Sequence, residues 1–398
     1  MYSQAKRIEF LDSIRGLAAL FVLLGHSSGA FAFPASYFAM ANWPFFSILF
    51  SGSAAVAMFF VLSGYVLSKP YVETGPDTRR IFLPTFYLRR FIRIWLPWFF
   101  AFIISIVAKK LLFFQPVTQP SVTGWLHQFW QAKLTVPDFF RQCAFALHDA
   151  SRLLLSQDWT LGVELKGSAL VPLFVVCARR KNVAVLFPLA VLLFILFSTG
   201  EYYVSFIVGV LMAQYDSSGA AWLARLGRPL RWSVFGGSLL LYQGWDFARC
   251  LFHHWPVAAY RYGWLVATVG CAGILISVFG SQTLQRTLNY RPIVLLGRIS
   301  YSVYLLQFII ILCLLPPLVA MFNQLGVTQP LVLCPVTMLA SVAATIGCAT
   351  IMYRFVEFRS FSSATGSPRQ SSCDSKSKGK PCVNLKVGTA RCAGKKNG

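Results

Sequence analysis

The chain has 398 residues, of which 56% are hydrophobic and only 12% charged, with a formal net charge of +23 and a mean hydropathy of +0.61. That composition excludes a soluble enzyme built on one core and points to a polytopic integral membrane protein. The basic residues sit between apolar runs, as orientation signals and lipid contacts do, so membrane lipid is the expected partner and nucleic acid is not.

Apolar windows predict an all-α bundle of about ten transmembrane helices, at roughly 10–33, 45–68, 94–114, 159–178, 183–199, 202–215, 231–245, 258–280, 294–320 and 331–353. The first run contains Asp12, Arg15 and His26 and is too long for a signal peptide, so it reads as a retained span. With the N-terminus inside, the cytoplasmic loops hold Lys69, Arg79, Arg80, Arg89, Arg90 and Arg93, then Arg179, Arg180 and Lys181, then Arg225, Arg228 and Arg231, then Arg286 and Arg291. The opposite loops 34–44 and 321–330 carry no charge, and 115–158 balances Lys133, Arg141 and Arg152 against Asp138, Asp149 and Asp158. The positive-inside rule therefore puts both termini in the cytoplasm. The cell (inner) membrane is the expected location. The cysteines show no CxxC spacing and several lie in apolar runs (Cys177, Cys271, Cys313, Cys334, Cys348), so neither a disulfide framework nor a metal site is expected.

In the first span Arg15 and His26 are three turns plus about 20° apart, on one helix face and roughly 16 Å from each other. Ionisable groups in a span are costly unless they face protein or water, so the pair reads as a polar track. The plainer alternatives are an arginine snorkelling to the interface and a hydrogen-bonded structural histidine. The second span ends in FFVLSGYVLSKPY, where Ser63 and Gly64 serve either close helix packing or ligand contact. From Arg79, RRIFLPTFYLRRFIRIWLPW precedes the third span, either as an interfacial helix on anionic lipid or as a site for phosphate oxygens.

The 115–158 segment is too polar to span and is expected to lie along the membrane as a cover, with Trp125, His127, Trp130 and His148 among its aromatics. DWTLGVELKGSALVP then brings Glu164 about a turn into the fourth span, where an acid needs a polar cavity or an ion pair. Asp246, Arg249, His253 and His254 read as a solvated outer loop. RPIVLLGRISYSVYLLQF opens the ninth span, with Tyr301 and Tyr304 near one face as an interfacial aromatic belt would place them. From about Ser362 the composition is that of a disordered basic tail, which divides the chain into a transmembrane domain, 1–358, and a tail, 359–398.

Five stretches in order, FLDSIRGLAALFVLLGH, FFVLSGYVL, RRFIRIWLP, WTLGVE and GRISYSVYLL, together resemble the membrane-bound acyltransferase-3 family, which includes O-acetyltransferases of cell-surface glycans, over essentially all of 8–358. The resemblance implies ten spans, an acyl-CoA co-substrate (acetyl-CoA) taken from the cytoplasm with no permanently bound cofactor, and transfer to an acceptor hydroxyl, expected on a glycan. It makes His26 the essential histidine, Arg15 its partner arginine, and Arg90 and Arg93 the Arg-x-x-Arg pair. Three positions depart from the family pattern. The aromatic pair usual after WTLGVE is Gly167 and Ser168 here, and the histidine usual after SYSVYLL is Gln307.

The expected catalytic residues are accordingly His26 and Glu164, with Arg15, Arg90, Arg93, Asp12, Ser63 and Tyr301 binding the substrates and no metal involved. The CoA phosphates would dock on the arginines of 79–93, while Arg15 steadies the pantetheine arm or carbonyl. Neutral imidazole at His26 would take the hydroxyl proton, worth about 10²–10⁴-fold, with a transient acyl-histidine as the rival chemistry. Glu164 would orient the imidazole or bind the acceptor. A transporter that uses Arg15, His26 and Glu164 along a substrate path is the alternative from another class, and an inactive sensor relative is a third.

Overall fold

The computed structural model describes residues 8–31, 44–72, 81–113, 122–147, 149, 151–179, 183–244 and 256–357. Its elements in chain order are α1 (Glu9–Gly29), α2 (Pro44–Phe50), α3 (Gly52–Val72), α4 (Leu83–Leu111), α5 (Gly124–His127), α6 (Val136–Cys143), α7 (Asp158–Arg179), α8 (Val183–Leu196), α9 (Gly200–Arg225), α10 (Arg228–Tyr242), α11 (Pro256–Phe279), α12 (Gln282–Leu288), α13 (Arg291–Arg298), α14 (Ser300–Gln324) and α15 (Pro330–Met352), followed by a π turn at Tyr353–Glu357. Among these residues the extended backbone pairs only at a single bridge, Phe31 with Val122. The tail, the loop 246–255, His148, and Arg79 and Arg80 lie outside the described residues.

The protein is an all-α, multi-pass membrane bundle in which seven helices, α1, α3, α4, α7, α11, α14 and α15, are long and apolar enough to cross a membrane. The three other expected spans differ for physical reasons. α8 has 14 residues and α10 has 15, which at 1.5 Å each gives about 21–23 Å, short of a hydrocarbon core. α9 has 26 residues but carries Glu201, Asp216 and Arg225. Its polar side chains are matched by neighbouring helices. Ser205 pairs with Thr268 at 2.8 Å and accepts from the Trp264 indole at 2.9 Å, Glu201 pairs with Arg261 at 3.0 Å, and Asp216 pairs with Lys69 at 2.5 Å. A helix enclosed by others has no need of an apolar surface all round.

The third span also begins earlier than expected. The basic aromatic stretch is not a separate interfacial element, because α4 runs unbroken from Leu83, with Pro84 in its first turn and Pro97 inside it. Exposed apolar side chains, such as Phe100, Ile103 and Val107 on α4 and Phe187, Leu192 and Ile195 on α8, form the outer surface of the bundle, as lipid contact requires.

Two backbone-to-backbone crossings set the register of the interior. Gly64 on α3 lies against the Phe206 backbone, and Gly209 on α9 lies against the Val61 carbonyl. Gly16 on α1 meets Gly297 on α13, where an added Cβ would sit 2.5 Å from the Gly297 nitrogen. Gly16→Val is therefore expected to lower stability by about 3 kcal/mol or more, since the obstructing atoms are backbone. Melting in detergent checks this against Gly236→Val, whose Cβ meets nothing within 4 Å. Equal melting of the two variants would show that the crossing does not matter.

The 122–157 stretch, the expected cover, is bonded to the end of α1, to Trp98 within α4 and to Tyr304 of α14 through the residues at its borders. Asp158 accepts from the Trp98 indole at 2.7 Å and from Gln142 at 2.6 Å, and Gln157 donates to the Tyr304 and Leu305 carbonyls. α6 opens on a capping box in which Thr135 donates to the Asp138 carboxylate at 2.6 Å, joined by Arg152 at 2.9 Å. These bonds, Thr135 first, hold the Asp138 carboxyl below the usual range. A depressed value means the stabilisation is complete above the unfolded value of about 4 and is lost only as pH falls through the lower folded one. Amide protection across 135–143, corrected for the intrinsic pH dependence of exchange, should thus be unchanged from about pH 8 to 5 and fall below about pH 4. Loss of protection already at about pH 6 would contradict the assignment.

Candidate active site

α1 is helical because Leu11, Ile14, Ala18, Ala19, Val22 and Leu23 recur at three- and four-residue spacing and are all buried. It is continuous from Arg15 to His26, so the two side chains do share a face at the spacing of three turns. Arg15 pairs with Asp12 at 3.4 Å, a contact one turn away on the same helix.

The basic end of the site is assembled around Arg90. Its guanidinium forms an ion pair with Glu164 and donates to Ser168 Oγ at 2.9 Å and to Ser63 Oγ at 3.4 Å. Ser63 in turn donates to Glu164 Oε1 at 2.6 Å. The Arg90 and Glu164 side chains are each 12% exposed, a depth at which an unpaired charge is strongly unfavourable. Arg15, Arg93 and Tyr301 lie within electrostatic range of Arg90. Three arginines, 15, 90 and 93, thus converge with the carboxylates of Asp12 and Glu164. Tyr301 donates to the Ile94 carbonyl at 2.7 Å, fixing the start of α14 against the arginine-bearing part of α4. Just beyond Arg93, Pro97 supplies no N–H to the Arg93 carbonyl.

His26 lies three turns along α1. Trp125 of the cover and Phe308 of α14 flank its ring, with centroids at 5.8 and 5.9 Å. Its Nδ1 is buried without a hydrogen-bond partner, while the residue as a whole stays half-buried. Glu164 is engaged by Arg90 and Ser63, so among the described residues it does not orient the imidazole. Of the sequence candidates, Ser63, Arg90 and Glu164 are in mutual contact, Arg15, Arg93 and Tyr301 gather round them, Asp12 attends Arg15, and His26 stands apart among aromatic rings.

Residue pattern alone did not reveal the contacts of Ser168, Gly167, Tyr304 and Gln307. Ser168 entered as a departure from a family pattern and is an Arg90 ligand. Gly167 beside it admits the Phe206 ring of α9, which an added Cβ would strike, so the second departure is filled from another helix. Tyr304 is not a belt residue. It is 6% exposed, with its hydroxyl 2.6 Å from Thr160. Gln307 is wholly buried, donates to the Tyr304 carbonyl at 3.2 Å and leaves Oε1 unpaired.

A family model described as an acyltransferase domain matches residues 8–353. The chain belongs to the acyltransferase-3 family. This acyltransferase is thereby a membrane enzyme, and the match runs from the start of α1 to the end of α15, taking in every residue of the site. Comparisons with curated proteins and with solved structures give no match.

Proposed function

We propose that this acyltransferase moves an acyl group, in the first instance acetyl, from cytoplasmic acyl-CoA to a hydroxyl of a carbohydrate acceptor, with His26 as general base. The observation that carries the reading is the division of the site along α1. Arginines cluster at the end that loop charge assigns to the cytoplasm, and a half-open imidazole in aromatic surroundings lies roughly 16 Å further along.

The arginines 15, 90 and 93 supply the charge and paired donors that CoA phosphates call for, and an extended pantetheine arm matches the distance to His26. At His26 the acceptor oxygen attacks the thioester carbonyl, the C–S bond breaks, and the imidazole takes the hydroxyl proton and returns it to the departing CoA sulfur. An ester and free CoA result. Glu164 acts on the donor side here, neutralising Arg90 until an anion arrives.

Purified protein in liposomes with labelled acetyl-CoA tests the proposal: free CoA should appear with the label in an ester on the acceptor. Substrate flux with no thioester turnover would instead identify a transporter.

A further inference from the structure

The cover is tied to the catalytic helix itself. The Thr123 N–H donates to the Ala30 carbonyl at 2.9 Å, its hydroxyl donates to Gly29 at 2.8 Å, and Phe31 bridges to Val122. These bonds follow directly from the end of α1, so α5 is held at a fixed distance from His26. They place the Trp125 indole 5.8 Å from the imidazole, with 31° between the ring planes. Phe308 meets Trp125 edge-on at 5.8 Å and Phe129 at 4.6 Å, closing the apolar side of the group.

Trp125 differs from its neighbour Trp130. Trp130 is 2% exposed and donates its indole N–H to the Leu154 carbonyl at 3.1 Å, as a packed core tryptophan does. Trp125 is half-buried, and its indole N–H bonds to no described residue. The backing rings, Phe308 and Phe129, are 0% and 6% exposed. A half-buried indole therefore stands beside the half-buried histidine of the site, and among the described residues no ion pair involves either group.

We infer that Trp125 is the platform on which the acceptor lies, and that the acceptor it fits is a pyranose ring. This rests on the acyl-transfer reading above. A pyranose presents a flat C–H face, which suits the electron-rich face of an indole, and carries its hydroxyls around the rim, where one can meet the imidazole while the ring stays stacked. A linear polyol has the same hydroxyls but no such face. An acceptor recognised by charge would need an ionic partner beside His26, and aromatic rings occupy that position. Trp125 is in this role a positioning and specificity residue, while the proton goes to His26.

The test uses the full-length protein in liposomes with acetyl-CoA and, as acceptors, methyl α-D-glucopyranoside, methyl α-D-galactopyranoside and sorbitol. At least one pyranoside should accept acetyl, with kcat/KM about tenfold or more above that of sorbitol. Trp125→Ala should raise the pyranoside KM by about tenfold while the acetyl-CoA KM stays within about twofold, and Trp125→Phe, which keeps a flat face, should recover most of the loss. Equal use of sorbitol, or a Trp125→Ala effect on kcat or on the acetyl-CoA KM alone, would overturn the proposal. CoA release by the wild type without ester formation on either pyranoside would overturn it too, leaving acyl transfer standing. No CoA release at all would remove acyl transfer and the platform together.

Discussion

Replacing His26 by alanine is expected to lower acyl transfer from acetyl-CoA by about 10²–10⁴-fold, the range a positioned general base contributes. The expectation rests on isolation. The imidazole is held between Trp125 and Phe308, and Glu164, the other expected catalytic residue, is committed to Arg90 and Ser63. Among the described residues no ion pair or ring contact brings a second base to the imidazole. Alanine also removes ring contacts, so His26→Gln is the sharper variant, since it keeps volume and hydrogen bonding but cannot accept a proton at neutral pH. Equal losses in the two variants, with wild-type elution in detergent, assign the loss to proton transfer. A covalent acyl-histidine is distinguished by single-turnover labelling, in which wild-type protein would carry hydroxylamine-sensitive label before acceptor is added. Transfer by His26→Ala within about threefold of wild type would remove His26 from the mechanism.

The second large effect is expected at the buried ion pair. Arg90→Met leaves Glu164 with Ser63 as its remaining partner, and Glu164→Leu leaves Arg90 uncompensated among Arg15 and Arg93. Breaking a buried pair from one side costs about 3–5 kcal/mol, whereas replacing both partners by apolar groups is often neutral. Each single variant should therefore melt well below wild type in detergent. The double variant Arg90→Met/Glu164→Leu should recover most of that stability and none of the transfer. That separation is the informative result, because a purely structural pair would regain activity together with stability. An active double variant would place the donor anion elsewhere, and a Glu164→Leu protein with wild-type melting would mean that the pair is not buried in the working enzyme.

Much of this site was legible in the order of the residues, for a definite reason. An intramembrane Arg, His or Glu is costly enough that its position alone marks a polar interior, and the helical period then decides which of them share a face. Arg15 with His26 and Glu164 with a partner followed from that. The partner's identity did not follow, because Arg90 and Glu164 are far apart in sequence and only the crossing of α4, α7 and α3 joins them. The span count erred where periodicity and length compete. α8 and α10 are apolar but short, and α9 is long but polar, so hydropathy alone could not separate a lipid-facing helix from an enclosed one. The boundary at α4 was misplaced for a related reason: positive charge reads as interface, yet Arg90 turns inward to a carboxylate. Trp125 was visible only as one aromatic in a cover, since its distance from His26 is set by two hydrogen bonds from Thr123 to Gly29 and Ala30.

The tether between the cover and α1 also bears on how such an enzyme diversifies. Arg15 and Ser63 lie on helices packed through Gly16, Gly64, Gly209 and Gly297, where an added side chain would strike backbone. The ring proposed to face the acceptor comes instead from a short segment clipped to the end of α1. On the proposed reading, new acceptors can be acquired by rewriting a few dozen residues of the cover, while the arginine-bearing helices are inherited unchanged.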